Sequence, residues 1–184
     1  MSWSTPEMKA RLRAEARRMP PPTAAESDRV CRQVLGWLAP RRPGPTLVWM
    51  AIPGELDLEP VVARLSDIEW LTTRTPAVGP LTVHSYHSPL ELHRFGFTQP
   101  VASAPEVSPN RIDVALAPGL AFDTRGGRLG RGKSYYDRLL AGLSANALRV
   151  GVTLERLMTE TVPTESHDVS MTHLITENGV REMA

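Results

Sequence analysis

The chain has 184 residues, of which 41% are apolar and 22% charged. That suffices for one domain with a sizeable core and excludes a disordered, collagen-like or coiled-coil chain. Its 21 Lys and Arg against 20 Asp and Glu leave a net charge of +1, without the dominant basic footprint of a general nucleic-acid binder.

Two helices open the chain. Ser4-Thr5-Pro6-Glu7 offers a cap, an early proline and an acid in the first turn, and helix formers run to about Met19. Pro20-Pro21-Pro22 stops that helix, and Thr23 with Glu26 forms a capping-box pattern for the next. There Val30, Val34 and Leu38 share one face at helical spacing. Thr46 to Ala51 is an apolar run suited to a buried strand, and Asp57 to Leu65 predicts a short helix. Ile68 to Thr73 and Leu81 to His87 are strand candidates, the latter more polar and suited to a sheet edge. Val101 to Pro109 has no period and reads as loop, and Ile112 to Ala117 reads as a buried strand. A glycine-rich loop, a helix from about Ser134 to Leu143, and strands at Leu148 to Leu154 and His173 to Thr176 complete the chain. Strands interleaved with helices predict a single α/β domain over 1–184. Its sheet is open and mostly parallel, with helices on both faces in three layers. Ligands in such folds sit at the C-terminal ends of strands.

Pro118 to Arg138, PGLAFDTRGGRLGRGKSYYDR, is the most informative stretch. Five glycines alternate with Arg125, Arg128, Arg131, Lys133 and Arg138. Glycines let backbone N–H groups approach a ligand, a following helix start adds a positive end, and the basic side chains add charge. Together they make an anion cradle suited to phosphates; the plainer alternative is a solvated basic loop. Gly127 to Ser134 also fits the P-loop pattern G-x-x-x-x-G-K-[ST]. A P-loop follows its strand almost at once, however, and here Asp123, Thr124 and Arg125 intervene.

This segment resembles the signature of the 5-formyltetrahydrofolate cyclo-ligase family, PG-x-AFD-x-x-G-x-RLG-x-G-x-GYYD. Lys9-Ala-Arg-Leu12-Arg13 is similar to the family's N-terminal K-x-x-LR. Met50 to Asp57 resembles its strand-end segment carrying a substrate Glu, and Leu81 to Pro100 the segment before its variable loop. His167-Asp168 resembles its C-terminal HD. The resemblance implies an ATP- and Mg²⁺-dependent enzyme of one-carbon metabolism. In that reaction the formyl oxygen on N5 of 5-formyltetrahydrofolate attacks the γ-phosphate of ATP. N10 then closes the ring, giving 5,10-methenyltetrahydrofolate, ADP and phosphate.

The resemblance also implies site residues. Lys9, Arg13 and the run Arg128, Leu129, Gly130, Arg131, Gly132, Lys133, Ser134, Tyr135 and Tyr136 would bind ATP. Arg131 and Lys133 are the catalytic candidates. Met50, Glu55, Arg131 and Tyr135 would bind the folate, and Asp137 and Asp168 the Mg²⁺. The residues alone leave other roles open: a solvated basic helix for Lys9 and Arg13, core packing for Met50, Tyr135 and Tyr136, a helix-start acid for Asp137, and a loop cap for Asp168. The five histidines lack metal-ligand spacing, and Cys31 reads as a small buried hydrophobe.

Two departures from the family pattern stand out. Ser134 occupies a usual glycine, where a side chain can meet a positive φ, and Gln99 stands where Glu commonly precedes Pro. The implied partners are a reduced folate and ATP, handled by a monomer without nucleic acid or membrane. One cysteine, no membrane-length apolar run and no leader-like start make the cytoplasm the expected location. The alternatives are a P-loop-like kinase or NTPase, a nucleotide-binding paralogue with another second substrate, an Arg-rich RNA binder and a sugar-phosphate isomerase.

Overall fold

The computed structural model describes residues 4–94 and 96–183. The helices are α1 (Thr5–Ala16), α2 (Ala24–Leu38), α3 (Glu59–Arg64) and α4 (Tyr135–Ala141). The strands before the glycine-rich segment are β1 (Thr46–Leu47), β2 (Trp70–Arg74), β3 (Thr82–Ser85), β4 (Leu90–Leu92), β5 (Thr98–Pro100), β6 (Glu106–Val107) and β7 (Val114–Ala117). Those in and after it are β8 (Ala121–Asp123), β9 (Arg128–Leu129), β10 (Leu148–Val152), β11 (Met158–Thr159), β12 (His173–Thr176) and β13 (Gly179–Glu182).

The main sheet runs β13-β12-β10-β7-β1-β2-β3-β6. Its five central strands, β12, β10, β7, β1 and β2, are parallel, and β13, β3 and β6 extend it antiparallel. This is the expected α/β architecture. Strand alternation sorts its side chains into two layers. Trp70, Val114, Leu116, Val150, Val152 and Ile175 meet α2 and α3 on one face. Leu47, Leu71, Ala115, Ala117 and Leu174 meet Leu139 and Leu140 of α4 on the other.

Caps set the start of α2 as its sequence predicts. Thr23 Oγ1 accepts from the Glu26 N–H at 3.2 Å, and the Thr23 N–H donates to Glu26 Oε2 at 2.8 Å. Val30, Val34 and Leu38 are all fully buried. Arg156 donates to Glu26 and to the carbonyls of Pro20 and Pro21, which holds the proline linker against the domain. Arg156 and Thr23 together hold the Glu26 carboxyl at about 2, well below its ordinary value.

Three expectations are corrected. The strand Leu81 to His87 is not the edge: β6, inside the presumed loop Val101 to Pro109, pairs outside β3. Two residues are too few to show a period. Leu90 to Pro100 forms a separate β4–β5 hairpin. The glycine-rich segment carries a sheet of its own, β11-β8-β9, rather than one loop.

From β1 the connections run to β2 on one side, whereas β7, β10 and β12 build out on the other. The order therefore reverses between β1 and β7. A crevice opens at such a reversal, beyond the C-terminal strand ends. Trp49 and Met50 leave β1 there, and Pro118 and Gly119 leave β7.

Candidate active site

The glycine-rich segment is built around Asp123, which is fully buried at the end of β8. Its Oδ1 accepts from the N–H groups of Arg125 at 2.9 Å and Gly127 at 2.8 Å, and its Oδ2 from Val162 at 2.7 Å. Its carboxylate thus closes the β8–β9 turn and ties it to the chain entering from β11. Gly126 is obligatory in that turn: its φ is +83°, and a Cβ there would lie 2.5 Å from the Met171 carbonyl oxygen. This geometry excludes a P-loop, because Gly127 and Arg128, inside the motif, belong to a hairpin turn and its strand. The following helix, α4, has seven residues, so it adds little of the expected helix-end charge.

Beyond the hairpin the chain turns at Gly132, where φ is +105°, and again at Ser134. Ser134 adopts φ +48° and ψ +25°, the left-handed conformation that glycine tolerates best. The expected strain at this departure is present. Its Oγ lies 3.5 Å from His167 Nε2.

Helix α1 reaches this segment by its charges. Lys9 is its only buried residue, and Lys9 Nζ donates to Glu165 at 2.7 Å and Asp168 at 2.5 Å. Burial alone would lower the Lys9 pKa, but the two carboxylates outweigh it and raise it. Burial likewise works against the Asp168 carboxylate, yet Lys9 and the Glu165 N–H hold its pKa down. One turn on, Arg13 Nε donates to the Gly130 carbonyl at 3.0 Å. The pairing expected from one helix face is realised.

Two cavities meet at this point. The larger, about 430 Å³, lies at the sheet's reversal point; the smaller, about 250 Å³, lies between α1, the Gly130–Ser134 turns and residues 165–168. Met50, Glu55, Arg131, Lys133, Tyr135 and Tyr136 line the larger. Lys9, Arg13, Leu129, Gly132 and Asp168 line the smaller. Arg128, Gly130, Ser134 and Asp137 border both. Every candidate residue therefore lines one cavity or the shared wall.

In that wall the guanidinium of Arg128 stands 2.9 Å from the carboxylate of Asp137, both buried, and also donates to the Pro118 carbonyl at 3.2 Å. Across the larger cavity Arg131 Nη2 donates to Glu55 Oε1 at 2.6 Å. Glu55 Oε2 accepts from the Ile52 N–H at 3.3 Å. A carboxylate has about four acceptor positions, so Glu55 retains capacity for a ligand. Burial pushes the Tyr136 hydroxyl up, and Tyr136 lies beneath the Arg128 guanidinium at 5.6 Å.

Sequence reasoning passed over several of these residues. Asp123 reads merely as an interruption between strand and motif, although an Asp four residues before Gly127 is a turn signal. Glu165 carries no signal, since only the fold brings it to Lys9 across 156 residues. Gln99 is fully used: Oε1 accepts from the Thr75 N–H at 3.1 Å and Nε2 donates to Glu91 at 3.2 Å. Glu91 in turn receives Arg74. Glu at position 99 would oppose Glu91, so Gln suits this network.

The fold and site define an α/β protein with adjoining cavities, one largely apolar and one charged, at the switch point of a parallel sheet. Residues 3–177 match the model of the 5-formyltetrahydrofolate cyclo-ligase family, and the chain belongs to that enzyme family. It is 31% identical to 5-formyltetrahydrofolate cyclo-ligase of Escherichia coli strain K12 over 73% of this chain and 79% of that one. The protein of that name from Mycolicibacterium smegmatis is 40% identical over 45% of this chain and 43% of its own length. The solution structure of Aquifex aeolicus 5,10-methenyltetrahydrofolate synthetase superposes with a TM-score of 0.76. It is 28% identical, with 97% of this chain and 92% of that one covered.

Proposed function

We propose that the protein converts 5-formyltetrahydrofolate to 5,10-methenyltetrahydrofolate, using ATP and Mg²⁺ and releasing ADP and phosphate. The observation that carries this reading is the wall shared by the two cavities. A reduced folate in the larger cavity and a triphosphate in the smaller would meet at Arg128, Gly130, Ser134 and Asp137. There the formyl oxygen would bond to the γ-phosphorus as the bond to the ADP oxygen breaks. N10 would then bond to the formyl carbon, lose its proton and expel phosphate.

The chain's own groups serve these steps by positioning and neutralisation, which dominate phosphoryl transfer. Lys9 and Arg13 face the smaller cavity. A phosphate there would draw Lys9 from Glu165 and Asp168, freeing carboxylate oxygens. Arg131 and Lys133 border the larger cavity at its charged end and would stabilise charge on the transferring group. Glu55 would accept N–H groups of the folate ring beside Met50 and Tyr135.

The Mg²⁺ assignment fits the donor set. Asp137, whose Oδ1 lies 2.9 Å from Arg128 Nη2, and Asp168 line the same cavity. Among the described residues no three metal-type ligands gather, but Mg²⁺ held by one or two carboxylates and phosphate oxygens needs no third. Bound there, it would neutralise phosphate charge. The reading includes action as a monomer in the cytoplasm: one chain lines both cavities, and Cys31 is a free thiol, as suits a reducing compartment.

The test is absorbance of the methenyl product from 5-formyltetrahydrofolate with and without MgATP. Product that requires MgATP is the expected result. ATP binding without product would leave the paralogue with another second substrate. Lys133→Ala and Arg131→Ala should each reduce turnover by about 100-fold or more, and normal turnover in both would overturn their catalytic role.

A further inference from the structure

The Gly130–Ser134 turns carry one hydroxyl that the proposed reaction does not consume. Ser134 borders both cavities, and among the described residues lining the smaller one it alone bears a hydroxyl. It is half-buried and holds φ +48° and ψ +25°. Backbone strain of this kind persists where the surroundings over-determine it, and it collects at functional sites. Its Oγ lies 3.5 Å from Nε2 of His167, which lines the smaller cavity, so the hydroxyl is turned toward the charged side of the wall. Arg13 flanks the same turns. A Cβ at Gly132 would stand 3.5 Å from its guanidinium carbon, and its Nε donates to the Gly130 carbonyl at 3.0 Å.

We infer that Ser134 is a modification site whose hydroxyl accepts the γ-phosphoryl group of ATP when no folate occupies the larger cavity. The inference rests on the nucleotide reading of the smaller cavity. For a formyl oxygen in one cavity to reach a γ-phosphorus in the other, that phosphorus must lie at the shared wall, and Ser134 is the hydroxyl of that wall. Ser134 Oγ bonds to the γ-phosphorus as the bond to the ADP oxygen breaks. ADP leaves with the electron pair, and the hydroxyl proton passes to water. The flanking Arg13 guanidinium neutralises charge on the transferring group, and positioning with neutralisation is most of what phosphoryl transfer needs. His167 is the rival acceptor, but it lines the smaller cavity alone and not the wall. A phosphoserine adds a charge of about −1.5 to −2 to a cavity that Asp137 and Asp168 already line, which opposes the next nucleotide. An enzyme left with ATP and no folate thereby closes its own site.

The experiment incubates the protein with Mg²⁺ and ATP radiolabelled in its γ-phosphate, at concentrations that calorimetry shows to saturate each protein, with and without 5-formyltetrahydrofolate. Label retained on the denatured protein is counted, and its position is read by peptide mass spectrometry. Wild type without folate should gain the mass of one phosphoryl group, stable to acid, on the peptide that holds Ser134. Ser134→Gly and Ser134→Ala, saturated with MgATP, should gain none. Excess 5-formyltetrahydrofolate should suppress labelling of wild type, because its formyl oxygen takes the same phosphorus. The phosphorylated protein should bind MgATP at least about 10-fold more weakly. MgATP binding and methenyl product without label would overturn the inference and leave the cyclo-ligase reading standing. Label at Ser134 without methenyl product would uphold the site and overturn that reading, and protein that binds no MgATP would overturn both. Acid-labile label on His167, label kept by Ser134→Gly, or label undiminished while the folate turns over would overturn the inference.

Discussion

Helices α1 and α2 lie side by side in the sequence and are held by opposite forces. Helix α2 buries Val30, Cys31, Val34, Trp37 and Leu38 against the sheet, while α1 buries Lys9 alone. Fully burying each large apolar side chain contributes about 1.5–3 kcal/mol, so the core secures α2. The attachments of α1 are polar: Lys9 to Glu165 and Asp168, and Arg13 to Gly130, with Leu12 packed on a small cluster of Ala121, Leu129 and Val162. An element held by charges at a cavity wall can exchange those partners for a ligand's charges. One held by the core cannot.

Substitution tests this contrast most strongly in the core. Leu38→Ala should cost about 2–5 kcal/mol in denaturant unfolding. Lys9→Met leaves Glu165 and the largely buried Asp168 without their cation and should cost about 2 kcal/mol, yet weaken MgATP binding at least about 10-fold. Equal destabilisation by both would make α1 a structural element.

The next effect belongs to the hairpin. Asp123→Ala strands three N–H groups and should cost about 2–3 kcal/mol, with turnover falling through a loosened cradle. Unchanged stability would remove Asp123 as its organiser.

Acid should separate the two helices more gently. The Asp168 pKa lies below 3.8 in the folded protein, so its contribution is present above that value and lost as pH falls through the folded value. The Lys9 pKa lies above 10.5, so its contribution holds below that value and is lost as pH rises through the folded value. The pair therefore stabilises α1 across the neutral range. Hydrogen exchange followed as pH falls below 3.8 should show α1 amides losing protection before those of α2. Simultaneous loss would contradict the division.

The smallest effect is at Ser134. Relief of its left-handed conformation, less glycine's greater freedom when unfolded, should make Ser134→Gly more stable by about 0.5–1 kcal/mol. Turnover should be kept, as also for Ser134→Ala. A crippled Ser134→Ala enzyme would instead give the Ser134 hydroxyl a direct part in turnover.

Much of this protein is written in local patterns. Helical spacing in Val30, Val34 and Leu38 and the caps at Thr23 and Glu26 depend on near neighbours, so α2 is legible in the sequence. The four-residue spacing of Lys9 and Arg13 and the order of the glycine-rich motif are equally visible, and with them the family. The short strands β6, β8, β9 and β11 are not, because two or three residues carry no period and their pairing partners lie elsewhere. Only the tertiary structure decided that Arg128 faces Asp137 in a wall between two cavities. It also placed Glu165 beside Lys9. Those placements follow from the packing of α1, β9, α4 and residues 165–168 around the two cavities, which no local spacing encodes.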